Sequence, residues 1–123
     1  MEEDLKTTIQ ELKDMVRKFR DERDWEQFHD PKNLAEAISI EAGELQELFL
    51  WKEKEKIIQS LKEDEKFKEE VGEELADVII FCLHLANASK LDVSDIIKDK
   101  IKKTNDKYPV DKAKGIATKY TKL

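Results

Sequence analysis

The sequence predicts an all-α chain: a four- to five-helix bundle with a short connecting helix, assembling as an oligomer. Three observations carry this expectation. Glycine occurs 3 times and proline 2 times in 123 residues, too few turn formers for a sheet protein. The apolar residues, 39% of the chain, recur at helical spacings of three and four. The run from Leu75 to Ala86 is apolar nearly all round its helix, so a monomer would leave apolar area uncovered. The length suits one domain over residues 1–123, with a C-terminal tail over about 109–123.

Leu5, Ile9, Leu12, Met15 or Val16, and Phe19 share one helical face and predict a helix over about 3–22. The segment Arg20 to Pro31 breaks that period and carries Trp25, Phe28 and His29. Asp30 followed by Pro31 is a helix start, an N-cap with proline at the first helical position. The second helix is expected from there to about Trp51. Lys52 to Lys66 is highly charged, with one apolar patch at Ile57, Ile58 and Leu61, and reads as a connector holding a short helix. A third helix over about 67–88 is expected at the bundle centre. Asp92 caps a fourth, with Val93, Ile96, Ile97 and Ile101 on its inner face.

Charge and cysteine content narrow the function. The net charge is −6, and a duplex-binding protein normally carries a basic excess, so no nucleic-acid partner is expected. Cys82 is the only cysteine, which rules out an intrachain disulfide and suits a reducing compartment. The acidic start MEEDLKTT lacks a signal-peptide apolar region. The run Val78 to Ala88 is too short for a bilayer. The expectation is a soluble, cytoplasmic protein with no membrane partner.

The chemistry sits in two acidic pairs. At about 100° per residue, Glu41 and Glu44 point with Leu34, Ile38, Leu45 and Leu48. Glu74 and Asp77 likewise point with Val71, Val78, Phe81 and Leu85. Glu47 and Glu73 fall nearer the rim. A lone ExxE is ordinary on a solvated helix; two inward pairs on two long helices are not. If the helices are antiparallel neighbours, four carboxylates converge. Two bare carboxylates about 4 Å apart repel by about 4 kcal/mol at an effective dielectric near 20. Protonation, a basic side chain or a metal must answer that repulsion. No Lys or Arg occupies these turns, and all-oxygen donors favour a hard cation, Mg²⁺ or Mn²⁺. Mg²⁺ is commonly shared with substrate phosphates, which points to metal-assisted phosphate chemistry.

EAGELQEL at Glu41–Leu48 with EELAD at Glu73–Asp77 resembles the ExxE…ExxD signature of the all-α nucleoside triphosphate pyrophosphohydrolases, the MazG-like group. RDWEQFHDPKNLA, LFLWK and the tail KYPVDKAKG resemble its dCTP pyrophosphatase branch. The resemblance implies Glu41, Glu44, Glu74 and Asp77 as magnesium ligands. It implies that Trp25, Glu26, Gln27, Phe28, His29 and Trp51 enclose the nucleoside, and that Phe81 stands beside the base or sugar. It implies cleavage of the α–β phosphate bond of a nucleoside triphosphate, dCTP or an analogue, by a dimer or dimer of dimers with sites near the subunit interface. Two positions depart from the pattern. Thr104 stands where the family commonly has asparagine, and Val16 where vertebrate dCTP pyrophosphatases place a histidine; both bear on base selectivity rather than on the reaction.

Phosphoryl chemistry assigns the remaining roles. Water attack needs charge neutralisation and a positioned nucleophile. Glu47 and Glu73 are the candidates to orient or deprotonate that water, and Lys102 and Lys107 to hold the outer phosphates. His29 beside Asp30-Pro31 also fits a structural or capping role, and His84 a core or interface one. Two other functions fit an acidic helical bundle. One is a di-metal carboxylate enzyme, which would want Glu-x-x-His pairs that this chain lacks. The other is a non-catalytic interaction module with a solvated acidic face.

Overall fold

The computed structural model describes residues 2–123. It contains seven α-helices and two 3-10 turns, and no strand among the described residues. None of those helices is long and apolar enough to cross a membrane.

Sequence spacing predicts one helix over 3–22, but the structure divides it. α1 is Glu3–Lys6 and α2 is Ile9–Glu22, separated by extended backbone at Thr7 and Thr8. The Thr8 hydroxyl accepts from the Glu11 amide at 3.1 Å and the Glu11 carboxylate accepts from the Thr8 amide at 3.1 Å. This reciprocal capping box restarts the helix, and spacing alone could not reveal it.

α3 spans Pro31–Glu47, with the Asp30 carboxylate accepting from the Asn33 amide at 3.0 Å. It stops short of the predicted Trp51. Residues 48–51 form turns, and Trp51 takes φ of 63°, a left-handed conformation no α-helix continues through. The connector does hold a short helix, α4, Lys54–Glu63. α5, Glu65–Ser89, starts at Asp64, whose carboxylate accepts from the Phe67 amide at 3.1 Å. It ends at left-handed Lys90. Its 25 residues make it about 37 Å long.

The chain divides into two compact units, one running to Lys90 and one from Leu91 to Leu123. In the first, α5 is the axis. It packs most extensively on α3, and also on α2 and α4. Leu34, Phe67, Leu83 and Ala86 form the buried apolar core. Phe49 meets Phe67 edge-on at 6.0 Å. Asn87 ties α5 to α2: its amide donates to the Lys13 carbonyl at 3.0 Å and its oxygen accepts from Arg17 at 3.2 Å.

α5 is not buried all round within one chain. Leu75, Ile79 and Ile80 remain exposed, as does Ile40 on α3. Its chain-mates cover only part of its circumference. Gly43 shows the same openness, since a Cβ there would meet nothing within 4 Å.

In the second unit, Asp92 caps α6, Val93–Lys107, accepting from the Asp95 amide at 2.9 Å. A short α7, Val110–Ala113, follows Pro109. Tyr108 and Tyr120 pack edge-on at 5.9 Å. Ile96, Ile97 and Ile101, predicted as an inner face, are exposed.

Candidate active site

α3 and α5 lie side by side, and this brings the acidic pairs together. Glu41, Glu44 and Glu74 each offer a carboxylate oxygen within 4.8 Å of the others. Glu44 is exposed, while Glu41 and Glu74 are half-buried. One oxygen of Glu41 and one of Glu74 are buried with no hydrogen-bond partner among the described residues. Burial raises the Glu41 pKa, reinforced by Glu44 and by the charges of Asp77 and Glu74. Burial likewise raises that of Glu74, reinforced by Glu44, Asp77 and Glu73. Asp77 stands near enough for its charge to act on both.

These features describe a site short of positive charge. Partnerless buried oxygens and acids pushed toward protonation are what a cation would relieve. The donor set is all oxygen, which fits a hard divalent cation.

Asp77 also lines a cavity of about 390 Å³, formed with Met15, Val16, Phe19, Trp25, His29, Ile80, Phe81 and His84. Asp77 thus connects the carboxylate cluster to an aromatic pocket. Local structure fixes its wall. Phe19 meets Trp25 edge-on at 5.8 Å, and the Arg23 guanidinium covers Phe19 at 3.7 Å. The Gln27 amide donates to the Asp24 carbonyl at 2.9 Å and that of Asn33 to the Phe28 carbonyl at 3.2 Å. His29 and His84 pack edge-on at 4.5 Å. Burial, with the nearby His29 and the Arg20 charge, lowers the His84 pKa to about 4. Burial and Arg20 lower that of His29.

The nucleoside candidates therefore separate. Trp25, His29 and Phe81 line the cavity. Glu26, Gln27 and Phe28 are exposed; Glu26 faces Arg20 at 3.7 Å and Gln27 folds back on Asp24. Trp51 is 93% exposed and lines a different cleft of about 430 Å³, with Lys52 and Phe67. Glu47, the last residue of α3, and Glu73 are exposed beside the cluster residues on their helices. Lys102 and Lys107 lie on α6 in the second unit, Lys107 with its ammonium 4.7 Å from the Tyr120 ring.

Several lining residues carry no sequence signal of their own. Met15 and Phe19 have the spacing of an ordinary core face, and Val16 shares that spacing, so that only the family resemblance, with its histidine there, marks it. Ile80 and His84 sit within an apolar run. A helical stripe looks the same whether it packs solid or walls a cavity.

Comparison with known proteins agrees with this architecture. Residues 37–123 match the model of the MazG-like family. Dctp pyrophosphatase 1 of Bos taurus is 38% identical over 117 residues, covering 94% of this chain and 68% of that protein. The Homo sapiens dCTP pyrophosphatase 1 is 37% identical over the same shares. A crystal structure of a pyrophosphatase from Archaeoglobus fulgidus superposes with a TM-score of 0.75 at 41% identity, covering 82% of this chain and 92% of that one.

Proposed function

The chain belongs to the MazG-like family, and from that membership we infer that it is a nucleoside triphosphate pyrophosphohydrolase, releasing a monophosphate and pyrophosphate. One observation carries the reading: the Glu41, Glu44 and Glu74 carboxylates cluster beside Asp77, which also lines the aromatic cavity.

In this reading Glu41, Glu44, Glu74 and Asp77 hold Mg²⁺, with Mn²⁺ as a substitute. When bound, the cation supplies charge neutralisation for the phosphates and a more acidic water. The residues of the chain do the rest. Exposed Glu44 leaves the cluster open to an incoming triphosphate. Trp25 and Phe81 hold the nucleoside and exclude water from it, fixing the phosphate chain at the carboxylates. Glu47 or Glu73, next to the cluster, orients and deprotonates the attacking water.

The preferred substrate is dCTP or a close analogue, supported by the dCTP pyrophosphatase 1 relatives. The role would be clearance or balance of the nucleotide pool. We also assign a homo-oligomer, a dimer or dimer of dimers, supported by the exposed Ile40, Leu75 and Ile79. Trp51, set apart within one chain, would meet a nucleoside only across a subunit interface.

Pyrophosphate release from a panel of ribo- and deoxynucleoside triphosphates, with and without Mg²⁺, tests the activity. Release that requires the metal and is lost in Glu44→Ala is expected. Full activity in Glu44→Ala would refute the site.

A further inference from the structure

We propose that His84, with His29 packed against it, reads the hydrogen-bonding edge of the nucleobase and so determines which base the enzyme accepts. The proposal rests on the nucleoside triphosphate reading above.

His84 is only 4% exposed, yet it lines the 390 Å³ cavity. The His29 ring stands 4.5 Å away at 74°. The Nδ1 atom of each imidazole is buried and has no hydrogen-bond partner among the described residues. Trp25, Phe81 and Ile80 give the cavity apolar walls; Asp77 and the two histidines are its polar lining.

The placement of those polar groups matters. Asp77 marks the carboxylate end. His84 lies about two turns further along α5 on nearly the same face, about 10 Å away along the axis. That separation is comparable to the span from a nucleotide's α-phosphate to the far edge of its base. Phosphates held at the carboxylates therefore bring the base to the imidazole pair.

Aromatic walls hold a base by its faces and do not distinguish one base from another. Its edge carries donors and acceptors, and leaving one unpaired in an apolar cavity weakens binding by about tenfold. A neutral imidazole presents one donor and one acceptor. Two such rings in fixed orientation complement one order of edge groups and mismatch another, which is how a polar pocket discriminates strongly. Burial together with His29 and Arg20 keeps His84 uncharged down to about pH 4, so this pattern persists at neutral pH.

The test is kcat/KM for dCTP, dTTP, dATP and dGTP with the unmodified chain, His84→Leu, His84→Gln and His29→Leu. The ratio between the best and next-best base should fall by about tenfold or more in His84→Leu, mainly through KM. His84→Gln, which keeps a donor and an acceptor, should restore part of it. Turnover with an unchanged ratio overturns the assignment alone. No turnover of any nucleotide by the unmodified chain with Mg²⁺ overturns the nucleotidase reading, and this assignment with it. If the leucine variants do not fold, imidazole nitrogen NMR of the unmodified protein decides. Saturating dCMP should shift the His29 and His84 ring nitrogens and ribose 5-phosphate should not; equal shifts, or none, contradict the proposal.

Discussion

Glu41 on α3 and Glu74 on α5 place carboxylate oxygens within 4.8 Å of each other, and each keeps a buried oxygen with no partner among the described residues. Two helices that otherwise pack through apolar side chains thus meet at a point of charge repulsion. The structure tolerates that repulsion where the proposed chemistry needs it.

Neutralising one member separates function from stability. Glu74→Gln keeps the shape and removes a charge. Activity should fall by about 100-fold or more, while the metal-free protein should melt at a higher temperature than the unmodified chain. Differential scanning calorimetry in chelator and a pyrophosphate assay check both. A lower melting temperature in chelator would show that the carboxylate is not repelled there.

Metal binding should appear as stability. At a Mg²⁺ concentration about 100 times its dissociation constant, the folded state gains about 2.7 kcal/mol. Thermal melts should rise with added Mg²⁺ and fall back in chelator, and Glu44→Ala should lose most of the effect. An equal rise in Glu44→Ala would place the cation elsewhere.

The histidines set the acid side of the stability profile. Folding lowers the His84 pKa from 6.5 to about 4, so between those values the unfolded chain binds more protons. Its stabilising contribution is present above pH 6.5 and is lost as pH falls through about 4. Allowing for solvent screening, the loss is about 2 kcal/mol, and His29, also lowered, acts in the same direction. Glu41 and Glu74, whose pKa values are raised, act oppositely, since their protonation relieves repulsion. Urea titrations at several pH values should show a shallower acid loss in His84→Gln than in the unmodified chain.

Trp25 should matter to binding more than to chemistry. Stacking on an aromatic ring is worth about 1–3 kcal/mol per base, so Trp25→Ala should raise KM by about 5- to 100-fold and change kcat less. Trp51→Ala should reproduce that loss only in the oligomer. Steady-state kinetics beside light scattering distinguish the two tryptophans.

Helix identity and the acidic pairs were legible because both depend on local spacing. The Asp30, Asp64 and Asp92 side chains each cap a helix, and the Asp30 and Asp92 starts follow from residue type. The convergence of Glu41 and Glu44 with Glu74 follows from two inward pairs on neighbouring helices. Other features depend on contacts that spacing does not encode. The break at Thr8 lies in a side-chain hydrogen bond that leaves the apolar period intact. The end of α3 at Glu47 comes from turns within LFLW, an apolar run that reads equally well as helix. The pocket wall from Met15 to Phe19, and the approach of His84 to His29, arise only when α2 and the Trp25 segment pack on α5.

The most direct test is the product distribution from dCTP with Mg²⁺, resolved by anion-exchange chromatography. The account predicts dCMP and pyrophosphate in equal amounts, with none formed in chelator and about 100-fold less, or lower still, by Glu74→Gln. Formation of dCDP and orthophosphate, or unaltered hydrolysis by Glu74→Gln, would contradict it.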